Sequence, residues 1–439
     1  MKKILIALAL SPSVLWAQMN PIAFEEYDLD NGLHVILHED HSTPIVAVSV
    51  SYHVGSKNED PSRTGFAHFF EHLLFEGSEN IGRGEYMKLI QDNGGVLNAN
   101  TSFDRTFYYE ILPSNQLELG LWMEAERMLH AKIDQIGVDT QREVVKEELR
   151  ERNENTPYGS IMNEVFEHAF VEHPYRWTPG GSPEYINQAS LSEFMDFYKT
   201  FYLPNNACIS IAGDINPVQT KEWIEKYFGS IAKGTHTIPR PSIVEPEKFA
   251  EVRDTVYDNI QLPAVVQAYH GPAQGTAEAY AVEMMSMVLS QGKSSRLQKN
   301  VVDKQQKAVF AGAFPMPSED PGLLLMFGIA NMGVEVLDLE ESMNTEVAKM
   351  SEELISVEEF EKLRNQIEND FITGNSSMAG IAESLSDYYL YYNGETNLVN
   401  TELERYFKVT REDIQAAAIK YLRTENRVTL HYLPKTEKE

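Results

Sequence analysis

The chain has 439 residues, with 42% hydrophobic and 10% aromatic residues, so it is too long for one ordinary core and too apolar to be disordered. Its 66 acidic against 37 basic residues give a net charge of −29. That balance excludes nucleic acid as a partner, because phosphate is repelled; it favours metal ions and basic peptides, or serves solubility alone.

The first residues, "MKKILIALALSPSVLWAQ", pair two lysines with an apolar run too short to span a bilayer. They read as a secretory signal peptide over 1–17, so the mature chain is expected to be exported, periplasmic or secreted. An N-terminal anchor is the competing reading. No later stretch is apolar for long enough to cross a membrane. Cys208 is the single cysteine. It excludes an intramolecular disulfide and reads as a small core residue.

Residues 25–56 read as a hairpin turning at Asn31-Gly32, with "PIVAVSVSYHVGS" as a strand. Helical spacing follows over 60–92. "GGVLNANTSFDRTFYYEILP" (94–113) reads as strand, and 114–155 as helix with a break near Gly137. A strand at "NACISIAGDI" precedes a helix at "NPVQTKEWIEKYFGSI". This mixture predicts an α+β fold. Proline-rich residues 236–248 read as a linker between an N-terminal domain (18–235) and a C-terminal domain (249–439). The halves share spacing: Tyr202-Leu203 and Tyr421-Leu422 stand 219 apart, as do Pro44 and Pro263. A duplication is implied, giving two homologous α/β-sandwich domains in tandem, each a mixed sheet with helices packed on it.

The stretch "HFFEH" at 68–72 carries chemistry. On a helix, His68 and His72 share a face, and Glu71 lies beside them. Two imidazoles can converge on an ion while a carboxylate points at its water. Zinc suits such a set if a third ligand completes it. In "DTQREVVKEELRERNEN", Asp139 and Thr140 are candidate helix caps. Glu148 aligns with Val144 and Val145 as an inward-facing carboxylate, with Glu147 as rival. The positions matching His68, Glu71 and His72 in the second half fall in "MSMVLSQ" (285–291), which has no metal ligand. "GKSS" (292–295) lacks the earlier glycine of a phosphate loop. His168 and His173 are five apart and read as structural, and "AESLSDYYLYYNGET" as packing.

"HFFEH", followed after 75 residues by Glu148, resembles the inverted-zincin peptidases of the pitrilysin family. "GGVLNANTSFDRTFYYE", "HPYRWTPGGSPEYI" and "GKSSRL" extend the resemblance over nearly the whole mature chain. The length is similar to that of the short two-domain members, such as mitochondrial processing peptidase subunits. The resemblance implies a zinc endopeptidase acting on peptides or unfolded segments. Zn2+ would be held by His68, His72 and Glu148, with Glu71 as general base. The strand at Asn98 and Ala99 would pair with substrate backbone. Two departures stand out. Gln141 replaces a glutamate seven residues before the third ligand. Val302 and Val309 stand where active relatives have an arginine and a tyrosine that hold the substrate carbonyl. A dimer with a homologous subunit supplying that pair is therefore expected; the alternative is a non-catalytic peptide-binding or assembly subunit.

Overall fold

In the computed structural model, which describes residues 21–435, two mixed sheets follow one plan. The first contains β1 (Glu25–Asp28), β2 (His34–Glu39), β3 (Ile45–Tyr52), β4 (Val96–Thr101), β5 (Thr106–Pro113) and β6 (Ala207–Gly213) in the order β1-β2-β6-β3-β5-β4. The second contains β7 (Val252–Asp258), β8 (Ala264–His270), β9 (Ala308–Met316), β10 (Leu323–Ala330) and β11 (Arg427–Pro434) in the order β7-β11-β8-β10-β9. In each sheet one pair is parallel, β2 with β6 and β7 with β11. The other neighbours are antiparallel. Without the extra edge strand β1, the two orders coincide, as a duplicated unit requires. Residues 229–251 form neither helix nor strand.

Several local expectations need correction. The hairpin at Asn31-Gly32 joins β1 to β2 only; β6 lies between β2 and β3. The single strand expected over 94–113 is a hairpin. Ser102 turns the chain: its amide donates to the Arg105 carbonyl at 2.8 Å, and its hydroxyl accepts from the Asp104 and Arg105 amides. The helical stretch 60–92 divides into Phe66–Leu73 and Tyr86–Asp92. The break near Gly137 lies earlier, between Leu117–Leu129 and Gln135–Asn153. Asp134, not Asp139 or Thr140, caps the second of these by accepting from the Gly137 amide at 2.8 Å. Residues 1–17, read as a signal peptide, lie outside the described residues. No described helix is long and apolar enough to cross a membrane.

The two halves exchange helices. Helix Ile161–Ala169 of the first half lays Ile161, Val165, Phe166 and Ala169 on Val266, Leu325 and Leu430 of the second sheet. Helix Met378–Tyr391 of the second half lays Met378, Ile381 and Leu385 on Ile36, Ala47 and Cys208 of the first. Each fully buried large apolar side chain here contributes roughly 1.5–3 kcal/mol, so separating the halves would expose two apolar sheet faces at once. The "YYLYY" run is thus packing between halves, and Cys208 is a buried thiol.

A buried ion cluster adds direction to this interface. The Lys57 ammonium lies 2.8 Å from Asp104, 2.6 Å from Glu319 and 3.1 Å from Asp320. His53 approaches Glu319 at 2.7 Å. Burial pushes the Glu319 carboxyl up, but the hydrogen bond from His53 and the charges of His53 and Lys57 overcome it and hold it at about 2. A depressed carboxyl stabilises the fold above its ordinary value of 4.5, and that contribution is lost as pH falls from 4.5 toward about 2. Lys57→Met takes the ammonium from buried Asp104 and from half-buried Glu319 and Asp320, so a loss of about 3–5 kcal/mol is expected. Urea unfolding at neutral pH checks it; a midpoint equal to that of the unmodified chain would contradict it.

Candidate metal centre

Helix Phe66–Leu73 starts from Gly65, whose φ of +98° is left-handed and suits glycine. A Cβ there would lie 2.9 Å from the Gly180 carbonyl. The helix buries Phe66, Phe69, Phe70 and Leu73, which fixes its rotation. His68, Glu71 and His72 are left facing helix Gln135–Asn153 and strand β4. The helix is also held at its C-terminal end. Tyr108 donates its hydroxyl to the Phe70 carbonyl at 3.1 Å, and the Arg127 guanidinium donates to the Leu74 carbonyl at 2.9 Å. Arg127 is fully buried against the rings of Phe75, Tyr86 and Tyr108. Its cation sits at the negative end of the helix dipole. Glu124 pairs with it at 3.0 Å. Burial, reinforced by Glu124, pushes the Glu110 carboxyl well above the usual range.

Glu148 reaches the same point from the second helix. Its Oε1 lies 3.6 Å from His68 Nε2, and its Oε2 lies 3.1 Å from His72 Nε2. The three ligand atoms lie within 4.8 Å of one another. Metal bonds of about 2.0–2.1 Å in a tetrahedron set donor atoms roughly 3.3 Å apart, so this spacing fits a zinc-sized ion with little movement. The donor set, two imidazole nitrogens and a carboxylate oxygen, fits zinc chemically as well. His68 is buried and its Nδ1 has no hydrogen-bond partner among the described residues. Hydrogen bonds from His68, then His72, hold the Glu148 carboxyl far below the usual range. Arg152 also donates to Glu148 at 2.8 Å.

The rival, Glu147, points away and pairs with Arg150 at 2.6 Å. Glu148 does not share a buried stripe with Val144, which is exposed; Val138, Val145 and Leu149 are the helix's buried apolar side chains. His168 and His173 pair with Asp254 and Asp320, away from this cluster.

Glu71 stands beside the ligand set but outside it. Its Oε2 accepts a hydrogen bond from the Thr101 hydroxyl at 2.7 Å. Thr101 ends β4, the last strand of the first sheet, whose outer edge has no strand partner among the described residues. Ala99 shares a half-buried face with Leu97 and Thr101, and Asn98 is exposed on the other face. The Asn98 side chain accepts from the Ala99 amide at 2.9 Å. Sequence reading missed Thr101; the alternation of β4 puts it on the face of Ala99, and that signal could have found it. Gln141, one face-repeat before Glu148, donates to Glu76, which also pairs with Arg83. A carboxylate is therefore present in this network, supplied by Glu76 instead of position 141. Val302 is half-buried against the second core, and Val309 is exposed on β9.

Residues 34–178 match the family described as Insulinase (Peptidase family M16), and residues 188–367 match the Peptidase M16 inactive domain. The chain is 32% identical over 414 residues to a Helicobacter pylori protein named "Zinc protease PqqE", covering 93% of each. A crystal structure of a protease from Helicobacter pylori superposes with a TM-score of 0.90 at 30% identity, over 94% of this chain and 100% of that one. The first half of the periplasmic protease PqqL from Escherichia coli has the same fold, with a TM-score of 0.76 at 17% identity over 93% of this chain and 92% of that one. With a relative of this identity matched almost end to end, the chain belongs to the M16 (insulinase, pitrilysin-type) peptidase family.

Proposed function

We propose that the protein is an exported zinc endopeptidase that hydrolyses peptides or unfolded segments and works as the catalytic member of a pair. The convergence of His68, His72 and Glu148 with the Glu71 carboxylate beside them supports this reading most directly. His68 Nε2, His72 Nε2 and the Glu148 carboxylate hold Zn2+, the cofactor named for the relatives. Zn2+ held there would supply Lewis-acid polarisation of the scissile carbonyl and a lowered pKa for a water. Glu71 takes the proton of the attacking water and passes it to the leaving amine. Thr101 fixes one carboxylate oxygen of Glu71, so the other is aimed at the water with little loss of rotamer freedom. The free edge of β4, including Asn98 and Ala99, receives the substrate backbone as an added strand.

The chain's net charge of −29 draws basic peptides, an attraction that weakens as salt shortens the Debye length. Export rests on residues 1–17; N-terminal sequencing of the exported chain checks it, and an uncut Met1 would contradict it. The function is tested by chelation. Cleavage of an Arg/Lys-rich peptide should stop on zinc removal, return on adding zinc, and slow as salt rises. Cleavage that survives chelation would overturn the metal reading; salt-independent cleavage would overturn only the substrate preference.

A further inference from the structure

A carboxylate outside the "HFFEH" stretch grips the start of the ligand helix. Glu59 sits in the loop before it, buried. Its Oε2 accepts from the Gly65 amide at 2.9 Å and from the Trp177 indole at 3.1 Å; its Oε1 accepts from the Ala67 amide at 2.8 Å. These are the amides that a helix start leaves without intrahelical partners. Ala67 immediately precedes His68, so the grip ends one residue from the first imidazole. The Trp177 indole is tied in turn to the Ser56 carbonyl at 3.0 Å. The segment "HPYRWTPGGSPEYI" thus bears on the helix twice, through Trp177 and through the close approach of Gly180 to Gly65.

All three partners of Glu59 are N–H donors. Only a group with two acceptor oxygens satisfies them; an amide in its place would set its own NH2 against an N–H. Burial pushes the Glu59 carboxyl up to about 8, against the opposing pull of the Ala67, Gly65 and Trp177 donors. A helix of eight residues has little internal rigidity of its own, and the direction of its first turn decides where His68 Nε2 points.

We infer that Glu59 is a positioning residue for the metal centre: with Trp177, it sets the first turn of the ligand helix so that His68 Nε2 meets His72 Nε2 and the Glu148 carboxylate at one point. This rests on the zinc reading above. The site is then pinned at both ends, by Glu59 on the amides and by Tyr108 and Arg127 on the carbonyls. Groups that orient ligands in this way typically govern metal affinity by about 10–100-fold.

The test is zinc affinity, measured by competition with a chromophoric chelator on the purified full chain. Glu59→Gln should weaken zinc binding about tenfold or more, and activity lost at limiting zinc should return as zinc is raised. Trp177→Phe, which keeps the carboxylate and removes one donor, should weaken binding in the same direction by a smaller factor. Zinc affinity within about twofold of the unmodified chain in a folded Glu59→Gln protein would reduce Glu59 to a purely structural cap and overturn the inference. Should Glu59→Gln fail to fold, unchanged affinity in Trp177→Phe would overturn it. His68→Ala is the separate control. Retained zinc there would remove the metal reading itself, whatever Glu59 does.

Discussion

Glu71→Gln should lower kcat by about 10²–10⁴-fold, the span of general-base catalysis, with zinc content unchanged. The substitution keeps the size of the side chain, and the glutamine carbonyl can still accept from Thr101, which donates at 2.7 Å. It removes only the ability to take a proton. Zinc content should hold because Glu71 lies outside the set formed by His68, His72 and Glu148. KM should change little on the proposed reading, in which the substrate backbone pairs with β4. Metal content and steady-state kinetics on one preparation separate the outcomes. Activity within tenfold of the unmodified chain would remove Glu71 as the base; lost zinc would make it a ligand instead.

Mixing the chain with a homologous subunit that carries the arginine and tyrosine should raise kcat/KM by about 10²–10³-fold, the effect of one donor on a developing oxyanion. Val302 and Val309 have only methyl groups to offer at those positions. Val309 is half-exposed on β9, with room for a larger group, whereas Val302 packs on the second core. On the proposed pairing, the donor comes from another chain. The check is kcat/KM of the isolated chain and of the mixture, with particle mass confirming the pair. Full activity alone, unchanged on mixing, would sink the heterodimer and leave the zinc site intact.

Legibility tracked sequence distance. His68, Glu71 and His72 were readable because helical spacing alone puts them on neighbouring positions. Glu148 was legible as an inward carboxylate through Val145 alone, because Val144 on the same helix faces solvent. The Ser102 turn was hidden because it carries no glycine or proline and is closed by one serine side chain. The Asp134 cap was hidden for a related reason. Asp139 and Thr140 are equally good capping residues, and only packing decides where the helix starts. Gln141 looked like a lost charge until Glu76 was seen to occupy the same network.

By itself the sequence determined the layer type, the repeated unit, the two histidines with Glu71 beside them on one helix, and the absence of their counterpart at 285–291. The layers and the His68, Glu71 and His72 grouping follow from periodicity within a few residues, and the repeat and its missing counterpart follow from matching spacing 219 residues apart. Only the tertiary structure decided that the helices Ile161–Ala169 and Met378–Tyr391 cover each other's sheets, that Thr101 holds Glu71, and that Glu59 grips the start of the ligand helix. These contacts join segments whose local preferences do not specify one another. They form because a sheet buries both faces and because buried donors must find acceptors wherever the chain brings them.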